Sequence, residues 1–214
     1  MGEIVVIDYG MGNLHSVAKA VERVAGAQRV RVTHDVDIIA AADRVVFPGV
    51  GAMPDCLREL DARGLRQSIV DAASSKPFLG ICLGMQALFQ HSEEGAVDGL
   101  GLLPGRVERF PRKGMFDAEG LALKVPHIGW NQVMPPRPHP LWAGIEPGTR
   151  FYFVHSYFCR PEDDALLAGV THYPFAFASA VARGNLFAVQ FHPEKSQAAG
   201  LRLLANFVAW DGHV

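Results

Sequence analysis

Cys82 sits in Gly80-Ile81-Cys82-Leu83-Gly84, a cysteine with a glycine two residues to either side. This is the spacing of the G-x-S-x-G nucleophile elbow with sulfur in place of the hydroxyl. The glycines let a strand and the helix after it approach closely, and the central residue takes a strained conformation that pushes its side chain outward. The helix N-terminus that follows favours a thiolate. By composition alone, a cysteine inside Phe78-Leu79-Gly80-Ile81-Cys82-Leu83 could equally be a small buried hydrophobe. A nucleophile needs a base, and His192-Pro193-Glu194 offers one. Two residues apart at the end of an extended run, His192 and Glu194 should leave the same face of a strand, the carboxylate fixing the imidazole tautomer and stabilising its charged form. Standing alone, His-Pro-Glu would be a solvated turn.

Metal chemistry fits the same residues poorly. His192-x-Glu194 matches half of a zinc deaminase signature, but the chain has no C-x-x-C, and no two of its nine histidines lie within five positions of each other. No metal site is expected. Gly10-Met11-Gly12 begins like a dinucleotide loop, yet His15 stands where the third glycine belongs, so the pair is read as a turn and Asn13 as a possible helix N-cap.

The elements that must position these residues alternate strand and helix. Ile4 to Ile7 is a β-branched strand followed by a helical pattern through Leu14, Val17, Ala18, Val21 and Val24. Arg29 to Thr33 and Arg44 to Phe47 read as the next strands, the latter running into Pro48-Gly49-Val50-Gly51. Such a loop, at the carboxyl end of a parallel sheet, can aim backbone N–H groups at a developing oxyanion. Helices are expected over Asp55 to Arg63 and Gln67 to Ala73, before the Cys82 strand. From Val97 to Pro140 the pattern breaks into short apolar pieces among Gly and Pro, a loop-and-hairpin region that includes Val125 to Asn131 as a turn-rich aromatic stretch. Arg150 to Phe158 is strongly β-prone, Arg183-Gly184-Asn185 turns a hairpin that leads into His192, and a helix with Leu201, Leu204, Ala205 and Val208 closes the chain. The fold expected is α/β: a mostly parallel, flavodoxin-like central sheet flanked by helices, with an added antiparallel hairpin region, in one domain over residues 1–214.

Composition narrows the function classes. With 214 residues, 49% hydrophobic and 20% charged, the chain can bury a sizeable core. A net charge of −2, with no basic run longer than Arg112-Lys113, argues against a nucleic-acid surface. No apolar run reaches membrane-spanning length, and the first residues lack a basic leader, so a cytoplasmic location is expected. Cys56, Cys82 and Cys159 are odd in number and widely spaced, as reduced thiols would be.

Gly-Ile-Cys-Leu-Gly-Met-Gln at 80–86 and Phe-His-Pro-Glu-Lys-Ser at 191–196 resemble the class I (triad) glutamine amidotransferases. Asp8 to Leu14, Pro48 to Gly51, His127-Ile128-Gly129-Trp130-Asn131 and His155-Ser156-Tyr157 carry the resemblance from near the first residue to Ser196. The resemblance implies that Cys82 attacks the glutamine carboxamide to form a glutamyl thioester, with His192 relaying protons and Glu194 orienting it. The oxyanion would be held by the backbone of Leu83 and of Gly49, Val50 or Gly51, in a loop that must reorient to present its donor. Gln86 and Glu94 would hold the amino-acid end of glutamine, with His155, Ser156 and Tyr157 lining the same pocket. No cofactor is implied.

Ammonia released into bulk water would be lost to protonation, so an acceptor enzyme is expected to dock over the mouth. The motifs are most similar to the branch of the family whose partner is a (β/α)8-barrel cyclase, which places Asn13 and Trp130 at that interface. The alternatives left open are the glutaminase subunit of another synthase, of pyridoxal phosphate or anthranilate formation, and a stand-alone γ-glutamyl hydrolase or cysteine peptidase. A redox-sensing or regulatory module on the same elbow is the non-enzymatic alternative.

Overall fold

The computed structural model describes residues 2–111, 113–116 and 119–213. Its parallel core is built from β1 (Glu3–Ile7), β2 (Arg29–Thr33), β3 (Arg44–Gly49) and β4 (Phe78–Cys82). These connect through the helices α1 (Leu14–Glu22), α2 (Val36–Ala41), α3 (Met53–Ala62) and α4 (Arg66–Ser75). After the one-turn α5 (Leu83–Gln86) come β5 (Phe89–Ser92), β6 (Val97–Asp98), β7 (Leu103–Arg109) and β8 (His127–Gln132). Next are β9 (Arg150–His155), β10 (Tyr157–Pro161), β11 (Leu167–His172), β12 (Ala176–Arg183), β13 (Leu186–Val189) and the closing α6 (Gln197–Ala209).

The main sheet runs β2-β1-β3-β4-β13-β12-β10-β7-β5-β6, with β11 paired to β12. Strands β2, β1, β3, β4 and β13 are mutually parallel, and the sheet continues antiparallel through β12 and β10. The fold is therefore the expected α/β sheet, and the β12–β13 hairpin turns where Arg183-Gly184-Asn185 foretells it.

Alternation explains why the central strands read as unbroken apolar runs. Ile4 and Val6 face one core together with Leu79, Phe187 and Val189, covered by Val17 and Val21 of α1 and Leu203, Leu204 and Phe207 of α6. Val5 and Ile7 face the other with Phe47 and Phe78, covered by Cys56, Leu57 and Leu60 of α3 and Ile69 and Ala72 of α4.

Three expectations need correction. Val125 to Asn131 is not merely turn-rich: His127–Gln132 is a strand that pairs antiparallel with β9 in a separate two-stranded sheet. Gly129, at φ +134°, disguised its alternation, in which His127 is buried while Ile128 and Trp130 are exposed. The helix after Cys82 is a single turn, too short to exert much dipole. Strand β13 stops at Val189, so His192 and Glu194 are not alternate strand residues; Pro193–Lys195 forms a 3-10 turn that folds the carboxylate back onto the imidazole.

Candidate active site

Cys82 ends β4 in the conformation that the elbow spacing requires, φ +55° and ψ −111°. A non-glycine residue held there carries about 1–3 kcal/mol of strain, which its packed surroundings must hold in place. The glycines explain how. A Cβ on Gly84 would be driven into the carbonyl oxygen of Phe47, and one on Gly80 would lie 3.0 Å from both the Ala188 Cβ and the Gly84 carbonyl oxygen. Strand, turn and helix can close on each other only without those atoms.

The base stands beside it. Nδ1 of His192 lies 2.8 Å from Oε1 of Glu194, the two side chains only 3% and 1% exposed. With Nδ1 committed to the carboxylate, Nε2 is buried without a hydrogen-bond partner and His192 lines the same cavity as Cys82. Burial works against a charged imidazole, but the neighbouring Cys82 sulfur and the Glu194 carboxylate outweigh it and raise the His192 pKa. Ser196 braces the arrangement, its hydroxyl donating to the His192 carbonyl at 2.6 Å while accepting from the Tyr152 N–H at 3.0 Å.

The cavity, about 560 Å³, is lined by Cys82, Leu83, Gln86, Glu94 and His192. Asn13, Val50, Gly51, His155, Ser156 and Tyr157 line it as well. All the expected triad and pocket residues therefore converge. Gly49 stands back from the cavity: paired with Cys82 across β3 and β4, it packs under the elbow, where a Cβ would meet Leu83 Cβ at 2.8 Å and the Gly84 nitrogen at 2.9 Å. Glu194 also lies behind the lining and reaches it through His192. Asn13 precedes α1 but its side chain makes no capping hydrogen bond. Trp130 is exposed on β8, edge-on to Tyr152, whose ring lies 6.0 Å from Nζ of the cavity-lining Lys195.

Gln86 Nε2 uses both hydrogens, one on the Tyr157 carbonyl oxygen (3.1 Å) and one on Gln190 Oε1 (2.9 Å), which leaves its own oxygen as the acceptor for a ligand. Glu94 accepts from the Met53 N–H at 2.8 Å, and burial raises its carboxyl pKa. His155 has both ring nitrogens engaged: Nδ1 donates to the Tyr157 carbonyl oxygen at 2.7 Å, so Nε2 accepts from Nδ1 of His127 at 2.9 Å. Burial lowers His127 to about 4 and His155 to about 3, so both rings are neutral at pH 7. His155 therefore shapes the pocket and has no free nitrogen for a ligand.

Sequence reasoning missed Gln190 and His127. Gln190 offers a signal in hindsight, a fully buried amide at the end of the apolar run Leu186 to Phe191. His127 is marked only as part of the family-like run His127 to Asn131, and nothing in that run shows that its ring is buried against His155.

Residues 5–210 match the family model described as glutamine amidotransferase class-I. The chain belongs to the class I glutamine amidotransferases. Curated relatives in the family include the imidazole glycerol phosphate synthase subunit HisH of Thiobacillus denitrificans, 65% identical over 98% of this chain and 92% of that one. The HisH subunit of Methylococcus capsulatus is 60% identical over 99% of this chain and 98% of its own. Among solved structures, PurLQS from Thermotoga maritima superposes with a TM-score of 0.71 at 18% identity, covering 97% of this chain and 98% of that one. A glutamine amidotransferase from the same organism gives 0.58 at 17%, covering 90% of this chain and 76% of that one. At those identities the likeness is one of fold. Among the described residues no helix is long and apolar enough to cross a membrane.

Proposed function

We propose that this amidotransferase is the glutaminase subunit of imidazole glycerol phosphate synthase, hydrolysing glutamine to glutamate and ammonia for a partner cyclase. Identity of 55–65% to HisH subunits over nearly the whole chain supports the assignment. The observation that carries the chemistry is Cys82 at positive φ in one cavity with a His192 whose Nε2 is free and whose Nδ1 is held by Glu194.

Cys82 Sγ attacks the side-chain carboxamide carbon of glutamine, its proton passing to His192 Nε2. The charge developing on the carboxamide oxygen meets the Leu83 N–H and one N–H from Val50 or Gly51, which line the cavity. The tetrahedral intermediate collapses as His192 protonates the departing nitrogen, leaving a thioester on Cys82 and free ammonia. Water, deprotonated by His192, then attacks the thioester carbonyl, the sulfur leaves, and glutamate is released. Glu194 stays ionised and stabilises the imidazolium in both halves. The Gln86 oxygen and the Glu94 carboxylate suit the α-ammonium group of glutamine, with Ser156 and Tyr157 closing the pocket.

The partner is the (β/α)8-barrel cyclase HisF, in a cytoplasmic heterodimer. It uses the ammonia to convert PRFAR into imidazole glycerol phosphate and AICAR, and Asn13 and the exposed Trp130 lie on the docking face. The whole of residues 1–214 acts as one amidotransferase domain, with no cofactor. Mixing the chain with HisF and following glutamate release tests this reading: turnover should be nearly idle in the free chain, switch on in the complex and rise when PRFAR is added. Equal turnover with and without the cyclase would instead favour a stand-alone hydrolase.

A further inference from the structure

Gln190 is fully buried just beyond β13, between the nucleophile and the residue assigned to the amino-acid end of glutamine. Its backbone N–H donates to the Ser179 carbonyl oxygen at 2.9 Å, which ties it to β12. The orientation of its side-chain amide follows from its neighbours. Gln86 Nε2 must act as donor to the Tyr157 carbonyl, so the Gln190 atom 2.9 Å from that same nitrogen is the oxygen. The Gln190 nitrogen is then turned to Cys82, 3.7 Å from Sγ, within hydrogen-bond range for sulfur.

We infer that Gln190 is a positioning residue for the reaction: its Nε2 holds the Cys82 sulfur while its Oε1 is held by Gln86, joining the nucleophile to the glutamine-holding side chain. A sulfur lining a cavity has rotamer freedom, and a fixed donor restricts it to the direction from which it meets the carboxamide carbon. The donor is rigid because its own oxygen is pinned, and Gln86 is pinned in turn by the Tyr157 carbonyl, on which the His155–His127 pair also rests. Displacement of Gln86 on seating glutamine is therefore transmitted to Sγ through one amide. The inference rests on the glutaminase reading for the role of Gln86; the contact with Cys82 does not depend on it.

The test compares Gln190→Glu, which keeps the oxygen for Gln86 but removes the amide donor, with Gln190→Met, which keeps the length and suits a fully buried site should the acid fail to fold. In complex with HisF, both should lower kcat for glutamate release by about tenfold or more, the loss of one hydrogen bond to the attacking sulfur, with KM changed by less than about threefold. Synthesis from added ammonium salt should stay at the wild-type rate. In the free chain, alkylation of Cys82 by iodoacetamide should slow by a comparable factor; Cys56 and Cys159 do not compete, since Cys82 alone of the three lines the cavity and burial raises the other two thiols well above their ordinary pKa. Unchanged kcat and alkylation would overturn the inference, as would a rise in KM alone, which would make Gln190 a prop for Gln86 only. A wild-type complex that releases no glutamate would defeat the glutaminase reading, and the alkylation rates would then decide on Gln190 alone.

Discussion

Glu194 Oε1 lies 2.8 Å from His192 Nδ1 inside the protein, and the contact is made across a 3-10 turn. The carboxylate fixes the tautomer that leaves Nε2 facing the nucleophile's cavity. Glu194→Gln keeps the shape but lets the amide present either a donor or an acceptor to the ring. Glutamine-dependent turnover should fall by about 10²–10⁴-fold, while docking to the cyclase and synthesis from ammonium salt persist. Steady-state kinetics with the two nitrogen sources check it.

The elbow glycines make a stability prediction. Gly84→Ala drives a methyl group into the Phe47 carbonyl oxygen, which is backbone of the neighbouring strand and cannot swing aside. The variant should lose about 1–3 kcal/mol or fail to fold, read by urea denaturation. Where it does fold, glutaminase activity should drop as well, since the same shift moves Cys82.

Much of this was legible in the sequence because the central strands are apolar on both faces and end in glycine-rich turns. Ile4 to Ile7, Arg44 to Phe47 and Phe78 to Cys82 announce parallel strands, and Gly80, Cys82 and Gly84 announce the elbow from spacing alone. The rest depended on contacts that spacing does not encode. His192 and Glu194 meet through Pro193–Lys195, not through strand alternation, so the pairing was foreseen on the wrong geometry. Helix α2 went unread: its apolar pattern is only six residues long, and its start is set by Asp35, whose Oδ1 accepts from the Asp37 and Ile38 N–H groups. The link between Gln190 and Cys82 joins the residue just beyond β13 to the end of β4, and no local pattern carries it.

Acid should destabilise the fold in a defined window. Burial lowers His127 and His139 to about 4 and His155 to about 3, well below the ordinary value of 6.5. The unfolded chain therefore binds more protons than the native one between about pH 6.5 and 4, and stability present above pH 6.5 is lost as pH falls. His192 is raised instead, so it adds stability as pH falls towards 6.5 and little slope once both states are protonated below it; Glu94, also raised, offsets part of the effect just above its ordinary 4.5. Urea midpoints measured from pH 6.5 to 4.5 should fall steadily, and His155→Phe should flatten the curve.

The exposed Trp130 predicts a separable docking defect. It is 40% exposed on β8 and packs edge-on to Tyr152 alone among the described aromatic rings. Trp130→Ala should leave the melting temperature of the free chain nearly unchanged and weaken binding to HisF by about 10–100-fold, the scale of an interfacial aromatic anchor. Calorimetric titration of the variant against the cyclase measures it.

The proposed mechanism stands on Cys82 forming the acyl intermediate, with ammonia as the sole chemical link between the two subunits. Imidazole glycerol phosphate formation probes both at once, measured for HisF complexed with the wild-type chain or with Cys82→Ser and supplied with either glutamine or ammonium salt. The variant complex should make no product from glutamine and wild-type amounts from ammonium. Product from glutamine in the variant, or loss of the ammonium-supported reaction as well, would contradict the mechanism.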